Sequence, residues 1–142
     1  MKLYFAYGAN LNIDGMHYRC PKARPVRSHY LENHSLIFQR HATVVYCDGD
    51  SVPGALWEIS DECEKALDRF EGFPIYYIKQ YFTDQHGNQV MYYVMQDAYI
   101  GMPTKEYVDM IAQGYIYWSL PLPVLKDAVI RSQTYDTCLT TP

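Results

Sequence analysis

Apolar and polar positions divide the chain into short elements separated by turn residues. Lys2 to Tyr7 is an apolar, aromatic opening strand that Gly8 interrupts; Asn12 or Asp14 can then cap a short helix through about Cys20, which Pro21 ends. From Arg24 to Tyr46, β-branched and aromatic residues with polar breaks near Glu32 to His34 predict two or three strands. An Asp48-Gly49-Asp50 turn precedes Val52 to Ile59, where Ala55, Trp57 and Ile59 alternate onto one face as a strand requires. Ser60 or Asp61 then caps a helix in which Cys63, Ala66, Leu67 and Phe70 fall at i, i+3, i+4 and i+7, a single apolar stripe that Gly72 and Pro74 stop.

Two more strands follow, about Tyr76 to Thr83 and Gln89 to Gln96, joined by a turn over His86-Gly87-Asn88. The second is apolar on both faces, which predicts a central position in the sheet. After Met102-Pro103, Thr104 caps a helix whose Tyr107, Ile111, Tyr115 and Trp118 share a face, and Leu122 to Ser132 is expected to form a last helix. Strands in succession, interrupted by single helices and not alternating with them, predict an α+β fold: a small, mixed, strongly curved sheet or barrel flanked by helices. A single domain over residues 1–132 with a loosely held C-terminal tail over 133–142 is the expected organisation.

Composition narrows the function classes. The chain is 49% hydrophobic and 20% charged with a net charge of −4, so it offers no general attraction to phosphate backbones or anionic lipid, and neither nucleic acid nor a membrane is expected as partner. No stretch approaches the roughly 20 apolar residues of a membrane span, and the N-terminus lacks a signal-peptide pattern, so a cytoplasmic location is expected. Cys20, Cys47, Cys63 and Cys138 make no zinc spacing and are expected to be reduced thiols. The five histidines lie in no helical metal spacing and read as surface or loop residues; no metal or other cofactor is expected. Asp61, Glu62 and Glu64 read as the solvated first turn of a helix.

Two features carry chemistry. Tyr7-Gly8-Ala9-Asn10-Leu11 lies where a strand gives way to a helix, a place where backbone N–H groups can meet a carboxylate. Glu71 follows Leu67 by four residues and Cys63 by eight, so a helix continuing to its end turns this carboxylate toward the apolar stripe. Burial and the negative end of the helix dipole both raise its pKa above the ordinary glutamate value of roughly 4.3, which suits a general acid/base. On spacing alone, a surface glutamate at a frayed helix end is the competing reading. No GxSxG elbow or other nucleophile motif appears.

These blocks resemble the γ-glutamylcyclotransferase (AIG2-like, BtrG-like) superfamily. Its Tyr-Gly-Ser-Asn-Leu motif is similar to Tyr7 to Leu11 after the strand from Tyr4, and further matches run in order through Arg19 to Ala23, Val52 to Ile59, Ala66 to Gly72 with Tyr77, and Tyr107 with Leu120-Pro121. The resemblance implies a compact mixed barrel and an enzyme acting on a small γ-glutamyl amine or γ-glutamyl amino acid. It assigns the catalytic glutamate to Glu71, the substrate-binding loop to Tyr7, Gly8, Ala9, Asn10 and Leu11, and pocket tyrosines to Tyr77, Tyr93 and Tyr107. Ala9 departs from the motif serine, which keeps a backbone amide and loses a hydroxyl contact. The implied reaction closes the free α-amine onto the γ-carbonyl, releasing 5-oxoproline and a free amine; the alternatives are an amidohydrolase using water on the same fold, and a non-catalytic binding module.

Overall fold

The computed structural model describes residues 2–96 and 101–138, the side chains of 134–138 excepted. A five-stranded, strongly curled sheet carries the fold, in the order β2 (Arg24–Gln39), β3 (His41–Ile59), β1 (Lys2–Ala6), β5 (Gln89–Met95) and β4 (Tyr77–Thr83), with helices flanking it. β1 lies at its centre, antiparallel to β3 with Tyr4 opposite Trp57, and parallel to β5 with Tyr4 opposite Met91. With both edges of β1 hydrogen-bonded, whatever follows Ala6 is held at the end of a strand fixed on both sides. β5 is flanked by β1 and by β4, as its two apolar faces predict.

Local signals set most boundaries. The Ser60 hydroxyl accepts the Cys63 N–H (3.2 Å) to open α2 (Asp61–Glu71), and Gly72, at a φ of 69° that side chains disfavour, closes it. Asn12 caps α1 (Ile13–Arg19) by accepting the Gly15 N–H at 3.0 Å, and Thr104 caps α3 (Lys105–Tyr117) by accepting the Tyr107 N–H at 3.2 Å. Phe5, Leu56, Trp57, Ile59, Leu67, Ile111 and Tyr115 are fully buried and join sheet, α2 and α3 into one apolar core.

Several expectations are corrected. The polar break at Glu32 to His34 does not end a strand: β2 (Arg24–Gln39) runs through it, and β3 runs through the expected Asp48-Gly49-Asp50 turn. Glu32 pairs with Ser51 and His34 with Tyr46, so Asn33 alone faces residues 47–50, and its side-chain oxygen accepts the Gly49 N–H at 3.1 Å. A bulge absorbs the turn residues and leaves one long hairpin whose tip lies at Arg40. The final helix, α4 (Leu122–Cys138), continues past Ser132; residues 139–142 of the expected tail lie outside the described residues. Phe70 is 46% exposed and leaves the apolar stripe to line a surface cavity, where the Arg19 guanidinium stacks on its ring, 3.9 Å from the centroid. Glu64 is not a solvated first-turn carboxylate: its side chain is largely buried and pairs with Lys2 and with Lys79 (2.6 Å).

Cys20 and Cys63, expected as free thiols, form a disulfide. Cys20 ends α1 and Cys63 lies in the first turn of α2, and packing of these two helices brings together residues 43 apart in sequence. Cys47 is free and exposed. Among the described residues, no helix is long and apolar enough to cross a membrane.

Candidate functional site

The end of β1 and the end of α2 meet at a cavity of about 690 Å³. Beyond Ala6 the chain passes through Tyr7 and Gly8 into a single 3-10 turn, Ala9–Leu11, before α1 begins. The first hydrogen bond of that turn runs from the Leu11 N–H to the Gly8 carbonyl at 3.0 Å. The N–H groups of Ala9 and Asn10 precede it, and among the described residues no backbone carbonyl outside the helices and strands takes them. Gly8 sits so close to β3 that a Cβ there would lie 3.0 Å from the Ala42 Cβ, which is why a residue without a side chain occupies this point of the loop.

Tyr7, Gly8, Ala9 and Asn10 all line the cavity, as do Glu71, Tyr77, Tyr93 and Tyr107. Leu11 does not: it is fully buried, and its carbonyl accepts the Trp118 indole N–H at 3.1 Å. It anchors the loop to the end of α3 from below.

Glu71 is the last residue of α2 and is partly buried. Burial raises its pKa to about 7, and the Arg19 guanidinium opposes that rise with a smaller effect. Among the described residues no hydrogen bond or ion pair engages its carboxylate, and it is the only acidic side chain lining the cavity, against three arginines, Arg19, Arg40 and Arg69.

The cavity tyrosines differ in where their protons go. Tyr7 donates to the Tyr93 carbonyl (2.5 Å), Tyr77 to the Ala42 carbonyl (2.7 Å) and Tyr93 to the Asp68 carboxylate (2.6 Å). Tyr107 instead accepts the Ala42 N–H at 3.0 Å, and Tyr4 accepts from the Asn10 side-chain amide at 2.9 Å. Burial pushes the Tyr107 phenol up to about 12 and also raises those of Tyr4, Tyr7, Tyr77 and Tyr93, so all five are neutral near pH 7.

Tyr4, Arg19 and His41 are site residues that sequence reasoning passed over. Tyr4 and Arg19 stood inside the matching blocks without a role. His41 packs edge-on against Tyr107 at 5.1 Å, a contact between the tip of the β2–β3 hairpin and α3 that no spacing encodes. Among the described residues, no group of three or more His, Cys, Asp or Glu side chains is placed to share a metal ion.

The comparisons with known proteins agree with this architecture. The family described as gamma-glutamyl cyclotransferase, AIG2-like, matches residues 4–120. A solved structure named "Gamma-glutamyl cyclotransferase" is 27% identical with a TM-score of 0.76, covering 89% of this chain and 85% of that one. A human protein described as uncharacterized protein loc79017 is 26% identical with a TM-score of 0.73 and the same coverage. An AIG2-like protein from Mus musculus, 22% identical with a TM-score of 0.54 over 76% of this chain and 82% of its own, shares the fold. No curated protein sequence matches. With more than half its length matched, and the loop and the glutamate lining one cavity, the chain belongs to the AIG2-like γ-glutamyl cyclotransferase family.

Proposed function

We propose that the protein is a γ-glutamylcyclotransferase-type enzyme that releases 5-oxoproline and a free amine from a γ-glutamyl amine or γ-glutamyl amino acid. The observation that carries this reading is Glu71: a lone carboxylate with its pKa raised to about 7, lining the same cavity as the Ala9 and Asn10 loop, whose amides precede the first hydrogen bond of their turn. Those amides, in a cavity with three arginines, suit the α-carboxylate of the glutamyl group.

With the carboxylate held there, the α-ammonium lies toward Glu71. Ionised Glu71 removes one proton, and the freed amine attacks the γ-carbonyl carbon of the same molecule. A C–N bond forms, the carbonyl π pair moves to oxygen, and a five-membered ring closes. Protonated Glu71 gives its proton to the leaving nitrogen, the bond to that nitrogen breaks as the oxygen pair returns, and the regenerated carboxylate takes the second proton from the ring nitrogen and passes it to the freed amine, which departs as an ammonium. No water is consumed and no protein nucleophile is needed, because the attacking group is part of the substrate. A pKa near 7 suits a residue that must be a base in one half of this sequence and an acid in the other.

The test is turnover of a panel of γ-glutamyl amines and amino acids by the purified protein, scoring 5-oxoproline against glutamate. 5-Oxoproline in equal amount to released amine is expected. Glutamate as the only acid product would replace cyclisation by hydrolysis.

A further inference from the structure

We propose that the Tyr4 hydroxyl is the donor that meets the γ-carbonyl oxygen of the substrate as it gains negative charge, and that Arg19 and Asn10 act as positioning residues that hold the Tyr4 proton toward the cavity. The proposal rests on the cyclotransferase reading and adds a residue and a relay to it.

The direction of each hydrogen bond decides the matter. A guanidinium can only donate, and Arg19 Nε lies 2.8 Å from Asn10 Oδ1, so this oxygen must accept. That contact settles which way the Asn10 amide faces: its NH₂ group is the one that points at Tyr4, 2.9 Å from the phenol oxygen. An amide nitrogen can only donate, so Tyr4 must accept and its own proton is left for another partner. Asn10 and Tyr4 are 2% and 3% exposed, so water does not scramble this order, and Tyr4 lines the cavity.

The other phenols cannot take this role on the same terms. Tyr7, Tyr77 and Tyr93 spend their protons on a carbonyl, a carbonyl and a carboxylate of the protein. Tyr107 keeps its proton, but its oxygen stands 3.6 Å from where a Cβ of Gly8 would lie, at the loop end where the α-carboxylate is held. Tyr4 is joined through the Asn10 side chain to Arg19, and Arg19 stacks on Phe70, the residue before Glu71, so this chain of contacts leads from the loop toward the carboxylate. A substrate spanning the cavity from the loop to Glu71 brings its reacting carbonyl beside Tyr4.

In the reaction, Tyr4 gives a hydrogen bond and not a proton. The pair displaced from the carbonyl rests on an oxygen that the neutral phenol faces, and returns when the leaving amine departs. A buried donor already aimed at that position needs no reorientation when charge appears, which is the source of its effect on rate.

The test is a kinetic cycle on the full chain with the γ-glutamyl compound that the wild type turns over fastest. Tyr4→Phe keeps the ring and removes the donor; kcat is expected to fall about 10²–10³-fold with KM within about threefold. Asn10→Asp places a carboxylate that accepts from both Arg19 and Tyr4, turning the Tyr4 proton away from the cavity while the phenol stays. It is expected to lower kcat by a comparable factor, and Tyr4→Phe/Asn10→Asp together to lose little more than either alone. Thermal unfolding of each variant sets the assay temperature below its transition, so that loss of the Asn10 to Tyr4 bond is not read as loss of chemistry. Wild-type turnover with unimpaired Tyr4→Phe overturns this proposal and leaves the cyclotransferase reading standing. A rise in KM at constant kcat removes the oxyanion role, and multiplicative losses in the double variant remove the relay. Absence of wild-type turnover on every γ-glutamyl compound overturns the reading and the proposal together.

Discussion

Cys20 and Cys63 join the C-terminal end of α1 to the first turn of α2 across 43 residues of sequence, with Cα atoms 5.2 Å apart. Arg19, next to Cys20, and Glu71, at the far end of α2, both line the cavity, so the bridge links the two helices that bound the reacting end of the site. A cross-link over a loop of this length stabilises a fold by about 2–4 kcal/mol, chiefly through the unfolded chain. Denaturant unfolding of Cys63→Ser, and of the parent protein in a thiol reductant, is expected to show an unfolding free energy lower by that amount than the untreated parent. Superimposable curves would mean the bridge contributes nothing to stability.

Glu71→Gln is expected to lower kcat by about 10²–10⁴-fold while raising stability at alkaline pH. The sign follows from burial. Glu71 binds its proton more tightly folded, with a pKa of about 7, than unfolded, near 4.5. Ionisation therefore costs nothing below about pH 4.5, and the full cost, roughly 3 kcal/mol, is reached as pH rises past 7. Glutamine removes that cost, so the variant gains on the parent at pH 8.5 and not at pH 4.5 in unfolding experiments. An equal difference at both values would place the carboxylate in solvent.

The rate of the free enzyme should follow the same group. kcat/KM is expected to rise with pH through an apparent pKa of about 7 as Glu71 becomes a base. Arg19 holds that value down, so Arg19→Met, which keeps an apolar stem over Phe70, is expected to move the acidic limb to higher pH. A pH profile that does not move separates Arg19 from Glu71.

Gly8→Ala tests the closeness of loop and hairpin. The added carbon would lie 3.0 Å from the Ala42 Cβ, forcing one of two tightly held segments to shift. Ala42 is pinned by Tyr77 at its carbonyl and by Tyr107 at its N–H, so the loop is the part that yields. A stability loss of about 1 kcal/mol and a rise in KM exceeding the fall in kcat are expected from unfolding and steady-state kinetics. Wild-type KM in this variant would show that the loop amides do not hold substrate.

What the sequence by itself determined is what local chemistry determines. Ser60 and Thr104 open their helices and Gly72 closes one, because a cap needs only partners two to four residues away. The Gly8 loop follows from a strand meeting a turn, whereas helical spacing left Glu71 between an inward carboxylate and a surface one, and its place in the cavity wall came from the packing of α2. Tertiary structure decided the rest, because each remaining feature depends on residues far apart in the chain. The Asp48-Gly49-Asp50 turn became a bulge because Asn33 faces it across a paired strand. Cys20 met Cys63 only because α1 packs on α2, and Phe70 stands at the cavity with Arg19 stacked on it, outside the core that its spacing predicts. Fifteen tyrosines are visible in the composition. Which of them keep a proton for the cavity is settled by Ala42, Asp68 and the Arg19 to Asn10 contact, since a phenol's donor and acceptor roles are assigned by its neighbours in space.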